Sequence, residues 1–196
     1  MKEHPMGSHS PAFLMVCTGN ICRSPAMEKL LASGLKDQAQ VSSAGTHAVV
    51  DSEIHPPMAK LLDQLGLGDP SFLARQLTKS LIGASDLILT ATTKHRSQVV
   101  LLDPRAVNKT FTLLEYAIPL STMDLTQLTG LSLADRLPVL TDHVQASRTG
   151  LQLPAEKLDI IDPYGFSLDV YEVALALIHQ AVTTVTHALT CQSTPG

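Results

Sequence analysis

An apolar run, Phe13-Leu14-Met15-Val16, breaks off into Cys17-Thr18-Gly19-Asn20-Ile21-Cys22-Arg23-Ser24-Pro25 and then into the helix-forming Ala26-Met27-Glu28-Lys29-Leu30-Leu31. The order is strand, tight loop, helix start. A short continuous apolar run suits a strand covered on both faces. Gly19 permits backbone angles that other residues resist, and Asn20 tolerates the left-handed region, so the chain can turn sharply here. Ser24 reads as the cap of the next helix and Pro25 as its first helical residue, where a missing N–H costs nothing. A chain that begins this way is committed to strand–loop–helix units, which join parallel strands.

The alternation continues. A second strand is read over Gln40 to Ser43, closed by Ala44-Gly45, a third over Asp86 to Thr90, and a shorter fourth over Thr110 to Leu113. Helices fall between them: Ser24 to Leu35; a segment opened by Pro56-Pro57, carried by Met58, Leu61, Leu62 and Leu65 and ended by Gly66; a short one capped by Thr78; and Lys94 to Leu102, stopped by Asp103-Pro104. The last helix, Ser167 to about Leu189, is apolar on more than one side and should pack deeply. With 196 residues, 44% of them apolar but only 4% aromatic, the chain suits one α/β domain with an aliphatic core. That domain is expected over 11–190, between tails at 1–10 and 191–196. The stretch from about 117 to 158 holds Pro119, Gly130, Pro138, Gly150 and Pro154, and Leu137, Leu140 and Val144 stand near helical spacing. It is long for a loop. It reads either as an extra helical patch on the core or as a lid or docking surface.

A net charge of -4 gives no reason to expect nucleic acid or an anionic membrane as partner. The cysteines are Cys17, Cys22 and Cys191, an odd number with neither disulfide-framework nor zinc spacing, which suits a reducing, cytoplasmic compartment. The apolar run before Cys17 is too short for a signal-peptide core, and no stretch is expected to span a membrane.

Cys17, five intervening residues and Arg23 form an oxyanion site in outline. A loop between strand and helix can curl so that successive N–H groups face inward as an anion nest, and the helix start adds its positive end. Arg23 closes the ring with a planar fork that matches two phosphate oxygens at once. The same fields favour the thiolate, the nucleophilic form of cysteine, at Cys17. The Ser24 hydroxyl can donate to that sulfur. Thr18, Gly19, Asn20, Ile21, Cys22 and Ser24 are then a phosphate-binding loop that would accept phosphate, sulfate or vanadate, with Cys17 as nucleophile and Arg23 as clamp.

Cys-Thr-Gly-Asn-Ile-Cys-Arg-Ser-Pro resembles the signature loop of the low-molecular-weight protein tyrosine phosphatases. The likeness extends to Ser43-Ala44-Gly45-Thr46, Ala74-Arg75-Gln76-Leu77-Thr78, Asp86-Leu87-Ile88-Leu89 and Asp162-Pro163-Tyr164. The resemblance implies a three-layer α/β/α sandwich: a doubly wound, Rossmann-like four-stranded parallel sheet of order 2-1-3-4, here with an extra helical insertion. It implies hydrolysis of a phosphorylated protein or small phosphomonoester through a phosphocysteine, with Asp162 of the Asp-Pro pair as general acid and base and Asp159 as the fallback. No metal or cofactor is called for, because Arg23 and backbone dipoles supply the electrostatics. The resemblance also gives Cys22 a redox role, a protective disulfide with Cys17; the residue type by itself suits a small apolar filler equally well.

Some positions depart from the family. Phe72-Leu73 stand where a histidine often braces the loop asparagine, which leaves Asn20 to water or Ser43. Val49 and Val50 stand where an aromatic residue usually walls the substrate groove, and Tyr164 is followed by Gly165 rather than a second aromatic. Val49 and Tyr164 are the expected groove walls, and a weaker grip on aryl phosphates is expected. Arg75 reads as a structural hydrogen-bonder. Of the scattered histidines, only His47 stands where it can approach the groove; the others read as surface or helix-face residues. Two rivals remain at this point: an arsenate reductase on the same scaffold, which needs a resolving cysteine downstream, and a non-catalytic phosphate- or phosphopeptide-binding module.

Overall fold

The computed structural model describes residues 10–148, 150 and 153–191. The expected tails lie outside these residues, apart from Ser10 and Cys191. In chain order the elements are β1 (Ala12–Cys17), α1 (Arg23–Leu35), β2 (Gln40–Gly45), α2 (Pro56–Gln64), α3 (Lys79–Ala84), β3 (Leu87–Thr90), α4 (Thr93–Leu102), β4 (Thr110–Thr112), α5 (Leu113–Leu120), α6 (Leu133–Ser147) and α7 (Leu168–Thr190). The four strands are parallel in the order β2-β1-β3-β4, as expected.

Strand β1 shows why there are three layers. Its residues alternate: Phe13, Met15 and Cys17 join one apolar cluster, and Leu14 and Val16 join another on the opposite face. The larger cluster is completed by α1, α2, α5, α6 and α7; the smaller one includes Ile82 of α3 and Val99 of α4. Cys17 ends β1 opposite Gly45, the last residue of β2. The loop after β1 thus opens at the carboxyl end of the sheet, next to the point where chain order reverses, where ligands of such folds bind.

Three local readings are corrected. Ser24 does not cap α1: the helix begins at Arg23 with Cys22 as its cap residue, and no side chain caps it. The Ser24 hydroxyl is used inside the loop instead. The fourth strand stops at Thr112, because Leu113 already opens α5. Thr112 Oγ1 accepts from the Glu115 amide at 3.0 Å, and Glu115 Oε2 accepts from the Thr112 amide at 3.1 Å, a reciprocal capping box that starts a helix in place of more strand. Finally, α7 has 23 residues and is long and apolar enough to cross a membrane by length and composition, contrary to the sequence reading. In the fold it is a core helix: Tyr171, Ala174, Leu175, Ile178, Val182 and Val185 are among its buried residues.

Helix α6 lies within the stretch of many prolines and glycines and buries Leu137, Leu140 and Val144 in the larger cluster. Its buried Arg136 reaches the carboxyl end of α7, where it donates to the carbonyls of Ala188, at 3.3 Å, and Cys191. A cation suits that end of the helix dipole.

Candidate active site

The loop is shaped by where its carbonyls go. Those of Cys17, Thr18 and Gly19 accept from the amides of Thr46 (2.9 Å), His47 (3.0 Å) and Val49 (3.0 Å), and that of Ile21 from His55 (2.8 Å). The segment after β2 therefore holds the outer rim. No peptide bond among the described residues is cis. In a trans peptide the next residue's N–H points opposite the carbonyl, so the amides of Thr18, Gly19, Asn20 and Cys22 turn to the other side. Asn20 makes the turn at a φ of 57°.

A buried network fixes the rest. Asn20 Oδ1 accepts from the Arg75 amide at 2.9 Å, so its Nδ2 faces two serines and donates to Ser24 Oγ at 2.9 Å and Ser43 Oγ at 2.8 Å. Ser43, one of the two expected partners of Asn20, passes its own proton to Glu28 Oε2 at 2.5 Å. Ser24 Oγ already accepts from Asn20, so its hydrogen is free for Cys17 Sγ, 3.0 Å away. A chain of polarised bonds thus ends on the sulfur. Arg75 Nε donates to the Ser43 carbonyl at 2.8 Å, the structural role expected of it.

Arg23 is 4% exposed. Its Nη1 donates to the Ile160 carbonyl at 3.2 Å and its Nη2 to Asp162 Oδ2 at 2.5 Å, while Nε has no hydrogen-bond partner among the described residues. A buried guanidinium with a free N–H beside a nest of amides is complementary to an anion. The Asp162 side chain is 51% exposed and stands at the lip. Asp159, by contrast, is occupied in capping: its carboxylate accepts from the Thr93 amide at 2.7 Å at the start of α4.

These pieces surround one cavity of about 210 Å³, lined by Cys17, Thr18, Gly19, Ile21, Cys22, Arg23, His47, Val49, Asp162 and Tyr164. Asn20 and Ser24 are buried behind it. Both loop cysteines are free and buried. Burial, followed by the charges of Cys17 and Asp162, pushes the Cys22 thiol up to about 12, so Cys22 stays protonated at neutral pH. Cys191 lies at the far end of α7, about 34 Å along the helix from the Asp162 side.

Three supporting residues escaped the sequence reading. His95 lies on α4, within the surface or helix-face reading, but is 4% exposed and faces the loop. Its Nε2 meets Thr18 Oγ1 at 2.8 Å and its Nδ1 meets Thr92 Oγ1 at 2.7 Å. Burial, then the charges of Arg23, Lys94 and His47, holds its pKa down to about 4, so a neutral imidazole braces the loop. His55 accepts or donates at Nδ1 to the Tyr171 hydroxyl at 2.9 Å and meets Tyr164 edge-on at 5.1 Å, joining the loop, the Asp162 segment and α7. Glu28 anchors Ser43 from α1. Glu28 is four residues beyond Ser24 and so on the same helix face, which is the one sequence signal for it. The two histidines carry no such signal.

Residues 12–128 match the family model for the low molecular weight phosphotyrosine protein phosphatases. The low molecular weight protein-tyrosine-phosphatase Etp of Escherichia coli K12 is 36% identical over 99 residues, which is 50% of this chain and 66% of that protein. A protein-arginine-phosphatase of Geobacillus stearothermophilus is 35% identical over 103 residues, 53% of this chain and 69% of its own. Among solved structures, the tyrosine phosphatase Wzb of Escherichia coli K30, in complex with sulphate, superposes with a TM-score of 0.68 at 24% identity, covering 93% of this chain and 100% of that one. At that identity the likeness speaks for the fold. The loop from Cys17 to Ser24, the sheet order and a family match over more than half of the residues agree, and the chain belongs to the low molecular weight phosphotyrosine protein phosphatase family.

Proposed function

We propose that this protein is a phosphomonoesterase acting on phosphotyrosine in proteins, through a phosphocysteine on Cys17. The observation that carries the reading is the buried Arg23 Nε, without a hydrogen-bond partner among the described residues, beside a sulfur 3.0 Å from the Ser24 hydroxyl, in a loop that draws the carbonyls of Cys17, Thr18, Gly19 and Ile21 outward. Such a loop holds three equatorial phosphoryl oxygens, and their charge grows no costlier as the transition state forms. The apolar part of the cavity lining, Ile21, Val49 and Tyr164, suits an aryl group more than a charged side chain.

In the first step Cys17 Sγ attacks phosphorus. The bond from phosphorus to the ester oxygen breaks, and Asp162 gives its proton to that oxygen as it leaves. In the second step Asp162, now a carboxylate, takes a proton from water as the water attacks phosphorus. The sulfur–phosphorus bond breaks, phosphate leaves and the thiolate returns. Arg23 and the amides hold the oxygens through both steps. In the free site the ion pair holds Asp162 beside the clamp; a phosphoryl dianion competes for Arg23 and favours the protonated carboxyl that donates in the first step.

The far position of Cys191 speaks against a thiol relay of the arsenate-reductase kind. The experiment is p-nitrophenyl phosphate turnover in the presence of chelator, with vanadate as inhibitor. Turnover that vanadate blocks and Cys17→Ser abolishes, with phosphate still bound by the variant, is the expected result. Undiminished turnover in Cys17→Ser would overturn the mechanism.

A further inference from the structure

A second hollow adjoins the cavity around Cys17. His47 lines that cavity and also lines the second hollow, of about 420 Å³, walled by Thr46, Gln76, Leu77, Gln98 and Leu101. This second hollow lies between the segment after β2 and the outer face of α4. Its wall is preformed: Gln76 Nε2 donates to the Thr46 carbonyl at 3.0 Å, and Gln76 Oε1 accepts from the Ala48 amide at 3.0 Å. The Leu77 amide is tied to the Gly45 carbonyl at 2.8 Å. Leu101, on its rim, is 81% exposed, the most exposed large apolar side chain among the described residues. A single exposed leucine needs no explanation. One that overhangs a braced hollow sharing a wall, His47, with a candidate active site is different.

We infer that this hollow is a substrate subsite that takes an apolar side chain of the phosphoprotein, about two to four residues from the phosphotyrosine, roughly 7–13 Å along an extended chain. The inference rests on the phosphatase reading above and names the substrate feature that reading leaves open. The occupant follows from the site. A phosphotyrosine seated in the loop brings its own flanking backbone to the rim, and His47 is a wall common to both hollows. The lining contains no Asp, Glu, Lys or Arg, so an apolar or neutral residue loses nothing by entering, whereas a charged one leaves water for a wall whose one ionisable member is His47. Gln98 and Gln76 supply polar edges for main-chain groups of the bound segment.

The test uses the full chain and phosphotyrosyl peptides carrying Leu or Glu at the flanking positions, on one side of the phosphotyrosine or the other. p-Nitrophenyl phosphate, which has no flanking chain, serves as the control. The wild type should favour Leu over Glu on one side by about fivefold to tenfold in kcat/KM, the contribution of one partly buried apolar side chain. Leu101→Gln should erase that preference while p-nitrophenyl phosphate turnover stays within about twofold, and Leu101→Lys should turn it toward Glu, a reversal that simple loss of packing does not produce. Equal rates for Leu and Glu peptides, or a preference that survives Leu101→Gln, would overturn the subsite and leave the phosphatase reading standing. Absence of p-nitrophenyl phosphate turnover in the wild type would overturn both.

Discussion

Val49 and His95 show what single residues do here. Val49 gives the groove a small wall where the family usually places an aromatic ring. Val49→Trp should strengthen the hold on phosphotyrosine by ~0.5–1.5 kcal/mol, a KM about twofold to tenfold lower with kcat little changed. Steady-state kinetics on phosphotyrosine reads this directly; an unchanged KM would remove Val49 from the groove. His95 makes a prediction about pH. Its pKa falls from 6.5 to about 4 on folding, so between those values the unfolded chain binds more protons than the folded one. Stability should therefore decline as pH falls from 6.5 to 4, by ~2–3 kcal/mol from this residue, and level off below. Urea unfolding at several pH values should show a flatter decline in His95→Gln. Equal slopes for the two proteins would mean that the imidazole is not held neutral.

The loop after β1 and the segment after β2 form one unit, and Gly45 is where they touch. A Cβ there would meet the Thr18 carbonyl oxygen at 2.4 Å and the Ala48 Cα at 2.9 Å, both backbone atoms that cannot swing away. Gly45→Ala should cost about 1–3 kcal/mol in stability and reduce kcat/KM, because relief moves Thr18 and with it the phosphate ring. Thermal unfolding and p-nitrophenyl phosphate kinetics check it; a variant with full activity and unchanged melting would contradict the close approach. The elements themselves were largely legible. The strand positions came from short apolar runs, and the sheet order came with the signature loop. The loop's members, Arg75 and Asp162 were legible too, because they sit in contiguous motifs. His95 and His55 were not, since they reach the loop only once β3 pairs with β1 and α7 packs back across α1. Helix α5 was missed although Thr112 and Glu115 stand at capping-box spacing; the early Pro119 masked a helix of only eight residues. Ser24 was misread as a cap because a serine before proline suits one, but its expected contact with the sulfur is present at 3.0 Å.

Across the whole molecule, one buried carboxylate ties the start of α5 to α4 and to the end of α6. Glu115 is contacted by Arg96 Nη1 at 2.6 Å and Arg148 Nε at 2.9 Å, from α4 and from the end of α6, and also closes the capping box of α5. Burial raises its pKa, but bonds from Arg148, Arg96 and the Thr112 amide outweigh that and leave it lowered. The carboxylate form therefore stabilises the fold, and that contribution is lost as acid protonates it. Glu115→Gln should destabilise the protein by about 2–3 kcal/mol, less than a fully buried pair because both arginines keep contact with water. Its kcat should stay near the wild-type value, because the cluster supports the scaffold and touches no residue of the loop. A normal unfolding midpoint would show that the arginines gain nothing from Glu115.

The central claim is that the sulfur of Cys17 becomes phosphorylated during turnover. The most direct measurement is rapid acid quenching of Asp162→Asn during p-nitrophenyl phosphate turnover, followed by mass spectrometry of the peptide containing Cys17. p-Nitrophenolate leaves without much help from an acid, whereas water needs a base, so the intermediate should accumulate in this variant. The account predicts one phosphoryl group on Cys17 and none when Cys17→Ser is added. Turnover with no phosphoryl group on Cys17, or with the group on another residue, would contradict it.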